Sequence, residues 1–271
     1  MTDASTSGAA LTGTPVSTGL MPGADPWSFT APAATTAAGV LVLHGFTGNP
    51  HSMRGLAEAC AAAGFHVELP RLPGHGTTLE DLCTTSWADW SGEAAAALER
   101  LRSRTDRVVV AGLSMGGALT LRLGIDHPDV CGLVCVNPAA QPQAAELIAM
   151  LEGLLADGIT ELPPIANDIA DPTQQELAYE AVPIRQLLSL IVDGVAPLAD
   201  EYATMRMPLL LMNSPSDHVV EPAQAEFLAA RYGGPLERVS LERSFHVATQ
   251  DYDRELINER AVDFITRVTG S

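Results

Sequence analysis

The sequence predicts an α/β fold: a mostly parallel central sheet with helices on both faces and a small helical cap insertion. Three observations carry this expectation. Short apolar runs bounded by turn residues alternate with longer stretches of helical periodicity, the pattern of successive βαβ units. The runs are apolar throughout rather than every second residue, as strands covered on both faces must be. The alternation lapses over residues 139–207 and then resumes, as an insertion into a regular sheet would make it do.

Residues 1–20 are rich in Ala, Ser, Thr and Gly without periodicity, and a mobile tail is expected there. Gly39–Leu43 reads as the first buried strand. A helix over 52–63 follows, with Met53, Leu56, Ala57 and Cys60 on one face, and then a strand over 65–69 closed by Pro70. Ser86 is placed to cap a helix, with Asp89 three residues on and Trp90, Ala94, Ala97, Leu98 and Leu101 as its apolar stripe. Next come a strand over 108–111, a Gly-rich turn, a helix from Met115 to about Gly124 and a strand over 132–136. The stretch 139–207 contains several prolines, no convincing strand, and two apolar helical segments at 145–155 and 184–195. Beyond it lie a strand over 209–212, a helix near 222–232, a strand over 239–241 and a last helix over 254–268. The expected organisation is therefore a core of 21–138 and 208–271, with 139–207 as a cap over the sheet edge where such folds bind ligands.

At 271 residues the chain can bury one substantial α/β core. Its net charge of −18, from 15 basic against 33 acidic residues, repels polyanions, so no nucleic-acid partner is expected. No apolar run approaches the ~18 residues that span a bilayer, so stable membrane insertion is not expected. Met1-Thr2-Asp3-Ala4-Ser5 carries no positive charge and leads into no apolar stretch, which argues against a secretory signal and for the cytoplasm. The four cysteines, Cys60, Cys83, Cys131 and Cys135, lack zinc-ligand spacing. No metal and no disulfide are expected, and Cys135 in its apolar run reads as a core thiol. The sequence leaves room for a homo-oligomer.

Gly112-Leu113-Ser114-Met115-Gly116 lies between a predicted strand and a predicted helix, the context that a nucleophile elbow requires. The sharp turn leaves little room for side chains two positions either side of the serine, hence the glycines. A serine hydroxyl needs a base to take its proton. With the elbow, the expected chain order is serine, acid, histidine. His246, just after the last predicted strand, is the candidate base, with His218 as its rival. Asp217, in the loop after the 209–212 strand, is the candidate acid; a turn-capping aspartate is its plainer reading. Asp251 and Asp253 follow His246 and read as helix-start residues. An oxyanion needs backbone donors. Met115 N–H, at a helix N-terminus, supplies one, and Phe46 N–H, in the loop His44-Gly45-Phe46-Thr47-Gly48, supplies the other. These groups suffice for acyl transfer, so no cofactor is expected.

With the elbow, His44–Gly48, Ser216-Asp217-His218 and Ser244-Phe245-His246 in place, the chain resembles bacterial monoacylglycerol lipases and small carboxylesterases of the α/β-hydrolase superfamily. The likeness runs from about residue 20 to the end and includes Leu69-Pro70-Arg71-Leu72-Pro73-Gly74-His75-Gly76-Thr77 and Glu176-Leu177-Ala178-Tyr179-Glu180. The resemblance implies cleavage of a small acyl ester, monoacylglycerol above all, to glycerol and fatty acid. It implies Ser114, Asp217 and His246 as the triad and Phe46 and Met115 as oxyanion donors. It further implies that the Glu176 carboxylate binds the glycerol hydroxyls and that Ile165 is an apolar cap contact. From the residues alone Glu176 reads as an ordinary solvated helix residue. The same triad serves a carboxylesterase on short or medium acyl esters. A thioesterase or peptidase lacks a visible carrier or amino-terminus site, and a non-catalytic ligand sensor would not require all three triad residues.

Overall fold

The computed structural model describes residues 19–32, 38–165 and 167–270; the expected tail of 1–20 falls almost entirely outside them. Nine strands and nine α-helices follow one another among the described residues. In chain order these are β1 (Trp27–Phe29), β2 (Ala38–Leu43), α1 (Arg54–Ala62), β3 (His66–Leu69), α2 (Leu79–Leu82), α3 (Trp87–Arg102), β4 (Arg107–Leu113), α4 (Met115–Asp126) and β5 (Gly132–Val136). Then come α5 (Ala145–Ala156), β6 (Glu161–Leu162), β7 (Val182–Pro183), α6 (Ile184–Leu188), α7 (Ala196–Leu198), β8 (Leu209–Asn213), α8 (Ala223–Ala229), β9 (Leu236–Ser240) and α9 (Arg254–Thr269).

Seven strands form the main sheet in the order β1-β3-β2-β4-β5-β8-β9. Every neighbouring pair is parallel except β1 with β3. The chain first moves outward from β2 to β3, then crosses back to β4 on the other side of β2. The loops leaving the C-terminal ends of β2 and β4 therefore diverge from adjacent strands, and such a switch point opens a crevice.

Side-chain alternation along the strands divides the interior into two layers. Leu41, Leu43, Val108, Val110 and Leu133 face α3 and α4, where Trp90, Leu98 and Leu119 lie buried. Val40, Val42, Val109, Ala111 and Val134 face α1 and α9, where Leu56, Cys60, Phe264 and Ile265 lie buried. Both faces being covered, the strands read as unbroken apolar runs. Cys135 is fully buried, as expected of a core thiol, and burial pushes it well above the ordinary thiol range.

Five details differ from the sequence expectations. β1 has only three residues at a sheet edge, too few for a periodic signal. The helix expected over 52–63 begins as a 3₁₀ turn, Pro50–Met53, whose entry is held by the Asn49 side chain accepting from His51 N–H at 3.0 Å. β9 starts earlier than expected and carries Glu237 and Arg238 on an edge, so only part of it is apolar. The helix expected over 184–195 widens into a π segment, Ser189–Val195, between α6 and α7, and the two-residue pair β6–β7 closes the stretch before it. At the widening, a Cβ on Gly194 would stand 2.6 Å from the Trp87 ring. The capping expectation at α3 holds: Ser86 is the N-cap, and the Asp89 carboxylate at the third helical position accepts from Ser86 N–H and from its hydroxyl, both at 2.9 Å. No helix among the described residues is long and apolar enough to cross a membrane.

Two glycine substitutions separate tight packing from open surface. A Cβ at Gly116 would lie 2.1 Å from Leu43 O, whereas one at Gly92, mid-α3, meets nothing within 4 Å. Gly92→Ala should raise stability by about 0.5–1 kcal/mol through helix propensity. Gly116→Ala should lower it by about 1–3 kcal/mol or more through overpacking against backbone. Urea midpoints of the two variants check both signs.

Candidate active site

The crevice is built first by backbone. β4 ends at Leu113 and α4 begins at Met115, leaving Ser114 alone to turn the chain at φ 56°, ψ −116°. This is outside the regions favoured by residues with a Cβ, and costs about 1–3 kcal/mol. The glycines make the turn feasible. A Cβ at Gly112 would fall 2.1 Å from Gly116 O, and one at Gly117 would fall 2.6 Å from Pro138 Cβ. Met115 N–H opens α4, where the first N–H groups have no intrahelical acceptor and carry the positive end of the helix dipole.

The loop after β2 closes over this turn. Thr47 takes a left-handed conformation, φ 61°, and a Cβ on Gly45 would lie 3.5 Å from Ser114 Cβ. Phe46 sits between them with its ring packed on Trp90 and His75, centroids 5.5 and 6.1 Å away. Beneath it, buried His44 donates from Nδ1 to Gly45 O at 3.0 Å and accepts at Nε2 from Leu72 N–H at 3.1 Å. Those partners fix a neutral tautomer. Burial lowers the His44 pKa to about 4, and burial together with neighbouring His44 lowers that of His75 to about 3.

On the other flank, the loops after β8 and β9 bring Asp217 and His246 together, both buried. His246 Nδ1 lies 2.8 Å from Asp217 Oδ2. The other carboxylate oxygen of Asp217 accepts from Val219 and Val220 N–H at 2.9 and 2.8 Å, which fixes the carboxylate plane. His246 and Ser114 line one small cavity with Phe46, Ile165 and Glu176. The structure thus gathers Ser114, Asp217, His246, Phe46, Met115, Glu176 and Ile165 about one crevice. It does not bring His218 there: that ring is turned outward, packs edge-on against Phe245 and pairs through Nδ1 with Asp168 at 2.8 Å.

The segment between α5 and β7 contributes the rest. Glu176 sits on an irregular arm, half-buried, and not in the helix expected from the residues alone. Its Oε2 accepts from Asn167 N–H at 3.0 Å, and its own N–H donates to Asn167 Oδ1 at 3.0 Å. Desolvation holds its carboxyl above the ordinary range. The arm is tied to the β2 loop by Tyr179 N–H donating to Thr47 O at 3.2 Å and by Asn49 Nδ2 donating to Leu177 O at 2.5 Å. From the Ser114 cavity a second, apolar cavity of about 260 Å³ extends between Leu147, Leu151, Leu162, Leu187 and Leu190.

Three supporting residues escaped the sequence reading. Asn137, at the end of β5, accepts from Ser214 N–H at 2.8 Å and donates to His246 O at 2.8 Å. Asp251, expected to start a helix, is fully buried and accepts four backbone N–H bonds, from Phe245, Ala170, Asp171 and Tyr252, at 2.7–3.0 Å. Asp168 accepts from His246 N–H at 3.0 Å. A lone Asp or Asn in a loop looks the same in sequence whether it caps a turn or ties two distant loops.

His44 and His75 give the protein a defined acid response. Both are proton-free when folded and take up protons on unfolding once the pH is below 6.5. Their contribution is therefore complete above that pH and is lost as the pH falls toward about 4 and about 3 respectively. Each group adds a slope of about 1.4 kcal/mol per pH unit within its window. In urea titrations at about pH 7 and about pH 5, His75→Gln should shrink the wild-type stability drop by about 2 kcal/mol.

Comparison with known proteins agrees with this architecture. A model of the Hydrolase_4 family, described as serine aminopeptidase, S33, matches residues 34–253. A thermostable monoacylglycerol lipase from Bacillus sp. (strain H-257) is 40% identical over 256 residues, covering 93% of this chain and 98% of that protein. A carboxylesterase from Bacillus subtilis (strain 168) is 25% identical over 232 residues, covering 84% and 92%. Among solved structures, one from the metagenome-derived lipolytic enzymes LipS and LipT superposes with a TM-score of 0.85 at 39% identity, covering 92% of this chain and 99% of that one. The chain belongs to the Hydrolase_4 family of α/β-hydrolases, in the group of bacterial monoacylglycerol lipases and small carboxylesterases.

Proposed function

We propose that this chain hydrolyses the ester bond of a monoacylglycerol, releasing glycerol and a fatty acid through an acyl-enzyme on Ser114. The protein is a carboxylic ester hydrolase. The observation that favours monoacylglycerol is the pairing of two unlike surroundings at Ser114: the Glu176 carboxylate beside it, and an apolar cavity of about 260 Å³ leading away. A carboxylate accepts hydrogen bonds from vicinal hydroxyls, and an apolar cavity receives an acyl chain. In this reading residues 139–207 are a cap over a core of 21–138 and 208–271, and Ile165 is its apolar contact with the ester.

In this reading the reaction runs as two acyl transfers. His246 takes the proton of Ser114 Oγ as the oxygen attacks the ester carbonyl carbon. Asp217, bonded at Nδ1, holds the ring and balances its transient charge. The carbonyl oxygen becomes an oxyanion facing the Met115 and Phe46 N–H groups, each donor accounting for roughly 10²–10³ in rate. Collapse expels glycerol, which receives the proton from His246. Water then repeats the sequence on the acyl-enzyme and frees the fatty acid.

A second reading, a carboxylesterase acting on short or medium acyl esters, draws support from the Bacillus subtilis relative. It differs at the alcohol side alone. Ser114→Ala should abolish fluorophosphonate labelling and lower kcat by about 10⁴-fold or more. Wild-type protein that fails to label would overturn the catalytic assignment. Glu176→Gln should lower kcat/KM for a monoacylglycerol relative to a p-nitrophenyl short-chain ester by roughly 10- to 100-fold, the worth of hydrogen bonds to a charged acceptor. An unchanged ratio would favour the carboxylesterase.

A further inference from the structure

We propose that Asp168 is a positioning residue for acyl transfer, fixing His246 through its backbone and joining that restraint to Glu176. One carboxylate spans both loops that carry the candidate acid and base. Its Oδ2 accepts from His246 N–H at 3.0 Å and from His218 N–H, next to Asp217, at 3.1 Å. Its Oδ1 accepts from His218 Nδ1 at 2.8 Å, and its main-chain carbonyl accepts from Val247 N–H at 3.1 Å. Asp217 restrains the His246 ring; Asp168 restrains the backbone from which that ring hangs. Hydrogen bonds to an ionised acceptor are the strong ones, and the two to Oδ2 hold main chain rather than a flexible side chain.

The same residue links the two sides of the crevice. Its neighbour Asn167, in a left-handed conformation at φ 67°, exchanges two 3.0 Å hydrogen bonds with Glu176. Beyond it, Asp251 accepts from Ala170 and Asp171 N–H and also from Phe245 N–H. Residues 167–171 and 244–247 thus form one hydrogen-bonded body, with the base at one end and Glu176 at the other. A displacement of about 1 Å at a catalytic group can cost about 100-fold in rate. A residue that sets the position of His246 should therefore act on kcat for every ester, including those that never reach Glu176 or the acyl cavity.

This rests on His246 being the base, and the experiment keeps the two claims apart. Wild type, Asp168→Ala, Asp168→Asn and His246→Ala are compared for kcat and KM on p-nitrophenyl acetate and on a medium-chain monoacylglycerol, with Tm measured for each. Asp168→Ala should lower kcat on both esters by roughly 10- to 100-fold, with KM for p-nitrophenyl acetate within about twofold of wild type. Asp168→Asn, whose amide oxygen can still accept from both backbone N–H groups, should recover kcat to within about threefold of wild type. Wild-type kcat in Asp168→Ala, a change confined to KM, or equal losses in the Ala and Asn variants would each overturn the proposal. If Asp168→Ala does not fold, Asp168→Ser, too short to reach both loops, carries the same expectation, and failure of both to fold makes the residue a structural support and overturns the proposal. Activity retained in His246→Ala would instead sink the assignment of the base.

Discussion

The site depends on one backbone contact, the approach of the first turn of α4 to the end of β2. Hydrogen is the largest substituent that fits at Gly116, because a Cβ there would fall 2.1 Å from Leu43 O and 2.8 Å from His44 O. That contact sets how far Ser114 stands from the loop carrying Phe46. It also brings the loop carrying Phe46 beside the start of α4 at Met115, the two residues proposed as oxyanion donors. The strain at Ser114 persists because the sheet holds Leu113 on one side and α4 holds Met115 on the other.

The opposite flank is organised differently. Carboxylates and an amide tie down the loop that carries His246. Asp217, Asp168, Asp251 and Asn137 bind the loops after β5, β8 and β9 to one another and to the arm through Glu176, almost entirely by bonds to main-chain N–H and C=O groups. Buried carboxylates are costly to leave unpaired, so each ionised acceptor commits several backbone donors to one arrangement. A chain of net charge −18 thus places part of its acidity inside, as scaffolding.

The contrast explains what could be read in advance. Alternating apolar runs announced the doubly covered sheet because both layers demand it. Ser114, Phe46 and Met115 were placed by the strand–turn–helix pattern and its glycines, which local sterics impose on sequence. Asp217 and His246 followed from chain order after successive strands. Glu176 was visible through resemblance alone, since an irregular arm has no period to mark it. Asp168, Asp251 and Asn137 join residues far apart in the chain, and nothing in their immediate neighbours records such partnerships. The short edge strand β1 has too few residues to show a period, and the π widening after α6 lies where Gly194 packs close on the Trp87 ring, a partner far away in the chain.

The arm through Glu176 has a mechanical corollary. It is stitched on one side to the loop carrying Phe46 and on the other to the loop carrying His246, whereas α5, the other wall of the apolar cavity, buries only Leu151 among its twelve residues. The two walls of the crevice are therefore held differently: the end carrying Glu176 is pinned by hydrogen bonds to the loops on both sides, and the apolar end is walled by a helix that is mostly exposed. Under the proposed function, a pocket held in this way discriminates at the alcohol head of an ester more than along its acyl tail.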